Sequence, residues 1–472
     1  MTRPTLVWFR SDLRLADNPA LSEAVAAGGE VVPVYILDDA AAGSSRLGGA
    51  ARWWLHHALA SLEDGLGRIG LRLRILRGDS AEAIDRLLAE TKAAGVLWNR
   101  RYEPWAIAQD KAIKVALELR GVHARSFNAS LGREPWEVAR GGTAPYKVFT
   151  PFWRAWERQG ALPRPLPTPE PLGPAVESDR QALQSLELLP TRPDWAGGLC
   201  ESWEPGEPAA WAALTGFLEG PVERYGADRN FPAKPGVSRL SPRLRHGEIS
   251  VRQAWHAART HGSAGAASFI RELVWREFSY HLLYHFPDIV DTPLRPEFAR
   301  FAWADAPQLL RAWSRGRTGY PIVDAGMREL WHTGYMHNRV RMITASFLIK
   351  DLLVPWQQGA AWFWDTLCDA DLASNSVSWQ WVAGSGADAA PYFRIFNPVS
   401  QGEKFDAQGS YVRRWVPELA RLPKVLIHQP WQAPPDTLTA AGIELGRTYP
   451  DRIVDHGEAR ARALATFQAL RS

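Results

Sequence analysis

The chain places tryptophan, carboxylate and amide side chains close together, in a pattern that could hold a flat ligand. Trp379 and Trp381 flank a single residue. Asp369, Asp371 and Asn375 lie just before them. The sequence also has 23 Trp against 17 Phe and 11 Tyr, the reverse of the usual order. This surplus of indole rings indicates stacking on planar ligands, electron transfer, or both.

Two predicted helices add polar side chains that ought to be buried. Glu272 and Trp275 are three residues apart, and Asn338, Arg341 and Met342 share one helical face. Taken singly, each polar residue is explained as well by a surface ion pair or a satisfied core group. Together with the carboxylates and indoles, they suit a flat heterocycle whose edges are read by Asp, Asn and Arg and whose faces are covered by Trp.

Other chemistries find little support in the sequence. His281 and His285 have the spacing of two metal ligands on a helix, but neither a HExxH glutamate nor a third ligand is nearby. We interpret them as two partly buried histidines and predict no metal site. There is no GxSxG elbow, and the two cysteines, Cys200 and Cys368, are far apart and outside any protease or oxidoreductase signature. Hydrolysis through a nucleophile or a metal is therefore not indicated.

The first 130 residues alternate apolar β-rich runs with amphipathic segments. The predicted strands are 6–9, 31–37, 71–76, 96–98 and 122–127. The predicted helices are 52–66, 81–94 and 105–120. This alternation predicts an α/β domain over residues 1–130, with a Rossmann-like parallel sheet covered on both faces. A GxGxxG motif and a P-loop are both missing.

A change in composition and then in periodicity follows this domain. Proline recurs between residues 161 and 207, yet Leu and Trp recur there too, which favours an ordered linker over residues 131–205. Residues 206–472 have almost wholly helical periodicity and are predicted to form an all-α domain. Its clearest predicted helices are 268–285, 322–333, 336–353 and 360–367.

Length and composition set broad limits. With 472 residues, 46% hydrophobic and 22% charged, the chain is an ordinary globular protein of two or three domains. Its net charge of +4 and pI near 9.0 are compatible with nucleic-acid binding without demonstrating it. A signal-peptide pattern and a stretch of 18 apolar residues are both missing. We therefore expect a soluble cytoplasmic protein that makes no membrane contact.

Several long motifs resemble one family. They cover residues 8–21, 318–330, 330–356, 369–381 and 388–406. In this order, and over essentially the whole chain, they resemble the photolyase/cryptochrome family of flavoproteins. The resemblance implies a fully reduced FAD, held in a U-shape by the helical domain, and an antenna pigment at the α/β domain. It also implies light-driven electron transfer to damaged DNA.

The resemblance assigns residues to the FAD. The segment that holds the diphosphate matches Tyr225, Ser238, Arg239, Leu240 and Ser241. Val237 stands where relatives often have threonine, so we expect one hydroxyl contact to be absent. The residues matched to the rest of the FAD site are Glu272, Arg341, Asp369, Asp371 and Asn375. Asn375 matches the residue that faces flavin N5, where a neutral amide favours the anionic reduced flavin used in repair.

The same resemblance assigns residues to electron transfer and to DNA. The tryptophan chain that carries electrons to photoexcited oxidised flavin matches Trp303, Trp356 and Trp379. Any one of them could be core packing, but three at matching positions are harder to explain in that way. The lesion pocket matches Glu272, Trp275, Asn338, Met342 and Trp381. The arginines that contact DNA phosphates match Arg339 and Arg394.

These matches favour a cyclobutane pyrimidine dimer photolyase, in which excited reduced FAD gives an electron to the dimer, the ring splits and the electron returns. Two alternatives stay open. A cryptochrome usually has a long C-terminal tail, whereas only 74 residues follow Pro398. A (6-4) photolyase is expected to have a histidine pair where this chain has Asn338 and Met342. The expected partner is dimer-containing DNA, bound by a monomer without an obligate protein partner.

The antenna site is the least specified part of the resemblance. Residues 98–104 lie where family members build it, but they lack the Asn-Glu dipeptide of folate-binding enzymes. The sequence Glu-Pro-Trp at 103–105, repeated at 134–136, is similar to a bacterial branch close to plant cryptochromes. We therefore expect 5,10-methenyltetrahydrofolate as the pigment. An 8-hydroxy-deazaflavin, or no pigment, stays open.

Overall fold

The first part of the chain folds around a five-stranded parallel sheet. A computed structural model describes residues 3–139, 144–392 and 394–471, so Phe393 of the motif 388–406 lies outside the described residues. The strands are β1 (Thr5–Phe9), β2 (Val31–Leu37), β3 (Arg74–Arg77), β4 (Gly95–Asn99) and β5 (His123–Phe127). Their order, β3-β2-β1-β4-β5, is that of the first five strands of a doubly wound fold. The predicted Rossmann-like α/β domain is confirmed.

Helices cover both faces of this sheet. They are α1 (Pro19–Ala26), α2 (Asp39–Ala42), α3 (Gly49–Arg68), α4 (Ser80–Thr91) and α5 (Pro104–Leu119). The central strands are buried on both sides, and for this reason they read as continuous apolar runs. The prediction missed α1 and α2. It also began the third strand too early, because Leu71 and Leu73 are apolar for packing in the core and not for pairing in the sheet.

The middle of the chain is ordered: its first helix packs on the helical domain, and its later part lies along the α/β domain. It contains three short helices, α6 (Phe149–Arg158), α7 (Arg180–Gln184) and α8 (Gly197–Ser202). Leu183, Leu186 and Leu188 are buried in the same core as α3, which explains the leucines of this proline-rich segment. An ordered linker is therefore present, while its boundaries at 130 and 205 stay predictions.

The rest of the described chain is helical, as predicted. Its helices are α9 (Glu207–Glu219), α10 (Tyr225–Asp228), α11 (Ser241–His246), α12 (Val251–His261), α13 (Ala264–His285), α14 (Pro307–Ser314), α15 (Pro321–Thr333), α16 (Asn338–Ser346), α17 (Trp356–Thr366), α18 (Leu372–Ala383), α19 (Pro398–Phe405), α20 (Ser410–Trp415), α21 (Pro435–Ala441) and α22 (His456–Arg471). The helix α18 packs against α13, α16 and α17 and so joins the segments that carry the candidate site. Within the described ranges, no helix combines the length and apolarity that crossing a membrane requires.

The predicted helix over 336–353 is shorter than expected. The helix α16 begins at Asn338, because His337 caps it, and it ends at Ser346. One π-helical turn, Phe347–Asp351, continues it. Such a turn widens the helix locally and frequently marks a functional region.

Candidate active site

The centre of the candidate site is an ion pair between α16 and the turn before α18. Arg341 donates from Nη1 to Asp369 Oδ1 at 3.0 Å and from Nη2 to Oδ2 at 2.8 Å. Ser241, the first residue of α11, donates its hydroxyl to Oδ2 at 2.5 Å. Burial opposes the charge of Arg341, but the Asp369 carboxylate outweighs it, and the pKa of Arg341 is raised. The pair is thus fixed in place and can present charge to the polar edge of a ligand.

The two polar residues at the start of α18 are held by different partners. Asp371 caps the helix by accepting the backbone N–H of Ser374 at 2.7 Å, and its other oxygen accepts the hydroxyl of Tyr280. Asn375 donates from Nδ2 to the Ala360 carbonyl at 3.1 Å. This bond orients the amide and leaves the side-chain oxygen of Asn375 as a neutral acceptor. The predicted cofactor roles of Asp371 and Asn375 stay predictions.

The segment matched to the FAD diphosphate forms one wall near this ion pair. Tyr225 and Leu240 are buried, and Ser238 Oγ accepts the backbone N–H of Leu240 at 3.4 Å. Arg239 has a φ of +51°, and its guanidinium lies 4.0 Å over the ring of Trp203. Its backbone is therefore in the left-handed region, which is uncommon for a residue other than glycine.

The side chains matched to the lesion pocket come from three helices that pack together. Glu272 of α13 forms an ion pair with Arg229 through Oε1. Trp275 stacks on Phe149 with ring centroids 3.6 Å apart, so one face of its indole is already covered. Met342 and Trp381 are half-buried. Asn338 is exposed, so the expectation of a buried polar set is wrong at this position, because Asn338 is the first residue of α16.

The two arginines matched to DNA phosphates differ in their surroundings. Arg339 is half-buried and donates from Nη2 to Asn230 Oδ1 at 2.6 Å. Arg394 is exposed, and its carbonyl accepts Lys350 Nζ at 2.8 Å. Neither guanidinium has a carboxylate partner among the described residues. Both cations are therefore available to an anionic ligand.

The three tryptophans matched to the electron relay differ in their burial. Trp379 and Trp356 are buried at 2% and 1% exposure, whereas Trp303 is half-buried. Gly359 permits this packing, since a Cβ there would lie 2.2 Å from Trp379 Cη2. Phe363 lies edge-on to Trp379 at 5.0 Å between ring centroids. Their part in electron transfer stays a prediction.

The structure adds residues that the sequence interpretation missed. Tyr280 lies about two helical turns beyond Glu272 on α13. This spacing places the two residues near one face of the helix, so the sequence could have indicated Tyr280. Arg229 and Asn230 had no sequence signal, because their partners lie 43 and 109 residues away. His281, in contrast, is buried as interpreted, with Nδ1 3.1 Å from the Pro135 carbonyl oxygen.

Two cavities open at the α/β domain. The larger, of about 480 Å³, lies between α3 and the segment after α8, with Trp53, His57 and Trp203 in its wall. The smaller, of about 80 Å³, lies at the carboxyl end of β2 and includes Arg101 and Glu103. The stretch 98–104, where the antenna site was predicted, thus reaches only the smaller cavity.

Comparison with known proteins covers the chain from end to end. Residues 5–171 match the family model described as DNA photolyase, and residues 269–469 match the FAD binding domain of DNA photolyase. The deoxyribodipyrimidine photo-lyase of Agrobacterium fabrum is 52% identical, covering 100% of this chain and 98% of that relative. Cryptochrome-1 of Arabidopsis thaliana is 39% identical, covering 97% of this chain and 69% of that protein. The crystal structure of a bacterial class III photolyase from Agrobacterium tumefaciens has a TM-score of 0.95 at 51% identity, covering 100% and 98% of the two chains.

Proposed function

The chain belongs to the DNA photolyase family, and from this premise we propose that it repairs cyclobutane pyrimidine dimers in DNA with the energy of blue light. The observation that carries this function is the match at 52% identity, over the full chain, to a deoxyribodipyrimidine photo-lyase. A cryptochrome-type light sensor is the second candidate, because the chain is also 39% identical to a plant cryptochrome. Glu272 and Asn338 favour repair, since a sensor has no need of groups that hydrogen-bond a lesion.

The FAD would be held by the Arg341–Asp369 pair, by Asn375 and by the wall that includes Tyr225. These residues fit the cofactor, because a fixed buried ion pair and a neutral amide offer both charge and hydrogen bonds to a polar ring edge. When bound and reduced, FAD supplies the light-excited electron. Asn375 has no ionisable proton to offer, which fits an anionic form of the cofactor.

The lesion would be held by Trp275, Trp381, Glu272 and Asn338. The indole of Trp275 is braced on one face by Phe149, which leaves its other face for stacking on a flipped-out dimer. Arg229 engages Oε1 of Glu272, and the second carboxylate oxygen has no partner among the described residues. This oxygen is suited to accept an N–H of a pyrimidine base.

Trp379, Trp356 and Trp303 would return an oxidised cofactor to its working state. Their burial supports this role, because Trp379 and Trp356 are shielded from solvent, whereas the half-buried Trp303 can exchange an electron with solvent species. No metal is needed for such a relay, since indole rings themselves can be oxidised.

The antenna would occupy the larger cavity of the α/β domain. Its volume of about 480 Å³ falls within the roughly 300–1,000 Å³ of small-molecule pockets, whereas about 80 Å³ is too small for a folate. Trp53 and Trp203 in its wall can stack on a flat pterin. This proposal moves the antenna away from the stretch 98–104. The absorption spectrum of the purified protein, before and after mild release of folate, tests the identity of the pigment.

The decisive experiment is light-driven repair of two synthetic oligonucleotides, one with a cyclobutane dimer and one with a (6-4) product. We expect repair of the dimer alone, and none in the dark. Trp275→Ala should lose preference for damaged over intact DNA by about 1–3 kcal/mol, the value of one stacking contact. Trp211→Ala, at an exposed position on α9, is the matched control. Repair of the (6-4) product alone would show that the substrate is the (6-4) product and not the dimer. If neither lesion is repaired although the flavin photochemistry is intact, the result would favour the light sensor.

A further inference from the structure

One buried donor beside the candidate site has no partner in the part of the chain that the structure describes. His337 is 3% exposed and caps α16, where its Nδ1 accepts the backbone N–H of Arg339 at 3.2 Å. Its own backbone N–H donates to Glu329 Oε2 at 3.3 Å. The other ring nitrogen, Nε2, is buried without a hydrogen bond. Because an unpaired buried donor destabilises a protein unless a water or a ligand accepts its hydrogen bond, this nitrogen is free to bind a ligand.

The protonation of His337 follows from its surroundings. Burial lowers its pKa first, and the charges of Arg341, Arg339 and Arg229 lower it further, to about 4. The imidazole is therefore neutral at pH 7 and carries one ring proton. Since Nδ1 accepts a hydrogen bond, this proton is on Nε2. The unpaired nitrogen is thus a neutral donor on a ring whose pKa three neighbouring arginines lower.

The three neighbouring arginines differ in their pairing. Arg229 and Arg341 each have a carboxylate partner. The Arg339 guanidinium has none among the described residues and lies 4.5 Å over the ring of Phe405, with Nη2 bonded to Asn230. Its Nε is also buried and unpaired. Two unpaired buried donors, one of them on an uncompensated cation, therefore lie on the first turn of α16.

We propose that His337 Nε2 donates a hydrogen bond to a phosphate oxygen and, with Arg339, binds a phosphate group at the start of α16. The positive end of this nine-residue helix favours an anion there. The inference rests on the proposed function, because that function brings two phosphate sources, the DNA backbone and the FAD diphosphate. Arg339 supplies the charge, whereas His337 adds direction without charge.

Two substitutions separate the donor from the helix cap. His337→Asn keeps an acceptor where Nδ1 caps the helix but removes the distal donor. His337→Gln loses the cap geometry and restores an amide N–H near the former position of Nε2. His332→Asn, at an exposed position on the neighbouring helix α15, is the matched control.

The first measurement is affinity for a dimer-containing oligonucleotide over a series of salt concentrations, at pH 6 and pH 8. His337→Asn should weaken binding roughly ten-fold at every salt concentration, as for a lost hydrogen bond to a charged group. The slope of log affinity against log salt should not change. Arg339→Ala should instead reduce this slope by about one. The second measurement is the affinity of the protein for FAD, monitored by flavin fluorescence. This affinity should fall roughly ten-fold in His337→Asn if the phosphate is that of FAD.

A loss in the DNA measurement identifies a backbone phosphate, and a loss in FAD retention identifies the diphosphate; His337→Gln should recover part of either loss. Wild-type behaviour of His337→Asn in both measurements overturns the inference, as does a reduced salt slope for this variant. Equal losses in both His337 variants, with lower urea midpoints, would show only a helix cap and also overturn it. Failure of the unaltered protein to repair dimers would reject the proposed function separately, while FAD retention would still test His337.

Discussion

Two buried polar clusters in this molecule differ in whether their hydrogen bonds are all made inside the protein. In the α/β domain, Asn99 Nδ2 donates to Asp12 Oδ2 at 2.6 Å and to Asn18 Oδ1 at 2.7 Å. Its Oδ1 accepts a backbone N–H at 3.3 Å, so both ends of the amide are used. On the first turn of α16, by contrast, His337 and Arg339 retain buried donors without partners. Asp12 and Asn18 of the first cluster, and both residues of the second, lie in the motifs 8–21 and 330–356 that carry the family resemblance.

This difference in hydrogen bonding distinguishes buried polar groups that stabilise the fold from those that can bind a ligand. A polar group whose hydrogen bonds are all made inside the protein stabilises the fold and has nothing left to offer a ligand. A polar group held in place but left unpaired is ready for one. The comparison therefore predicts that changes in the first cluster alter stability, and changes in the second alter ligand chemistry.

The largest expected effect concerns Glu248, a buried group whose hydrogen bonds are made inside the protein. Glu248 is fully buried, and it accepts Trp54 Nε1–H at 2.8 Å and the Gly206 N–H at 2.7 Å. Burial raises its pKa from 4.5 to about 7, although Arg243 opposes the shift. Because the folded state binds this proton more tightly, its contribution to stability is present below pH 4.5 and is lost as pH rises through 7.

Urea unfolding of Glu248→Gln should show this loss directly. Between pH 4.5 and pH 8, Glu248 should lower the unfolding free energy of the unaltered protein by about 3 kcal/mol. The unfolding free energy of the variant should not show this decrease. Glu277, whose pKa is also raised by burial to about 7, contributes to the residual slope in both proteins. Equal pH slopes for the two proteins would contradict the prediction.

Asn99→Ala tests the first cluster itself. The change removes two donors from buried acceptors and should cost about 2–3 kcal/mol of unfolding free energy. Repair per flavin-bound molecule should stay at the level of the unaltered protein. Urea unfolding gives the first quantity, and repair normalised to flavin absorbance gives the second. Normal stability with impaired repair in Asn99→Ala would contradict the assignment of the first cluster to stability.

The sequence predicted the sheet because buried parallel strands are almost wholly apolar, as in β2 and in residues 96–98 of β4. It assigned Arg341 and Asp369 to one FAD site only through the family resemblance. It could not predict that Glu248 accepts from Trp54 or that Arg229 pairs with Glu272. These contacts join positions 194 and 43 residues apart, and no local periodicity records such distances.

The relay region offers an intermediate case, in which packing and electron transfer share one residue. Gly359→Ala would bring a Cβ within 2.2 Å of Trp379 Cη2 and 2.6 Å of Leu348 Cδ2. We expect a loss of about 1–2 kcal/mol from overpacking and a slower photoreduction of oxidised FAD, because Trp379 must move. Gly216→Ala is the matched control, since a Cβ there meets nothing within 4 Å. Transient absorption and urea unfolding check the two effects, and unchanged photoreduction would separate Trp379 from the relay.

The smallest expected effect on stability comes from the same chemical change at Asn338, an exposed residue between the two members of the second cluster. Asn338 is exposed at the start of α16, and its side chain has no hydrogen-bond partner within the described ranges. Asn338→Ala should therefore change the unfolding free energy by no more than about 0.5 kcal/mol. If the amide hydrogen-bonds a base edge of the dimer, repair per absorbed photon should nevertheless fall, with about 1 kcal/mol lost in dimer affinity. Quantum yield and oligonucleotide binding measure these two quantities on one sample. Asn99→Ala and Asn338→Ala each remove one side-chain amide, and we expect the first to lower stability and the second to lower repair. Unchanged quantum yield and affinity in Asn338→Ala would place Asn338 outside the site.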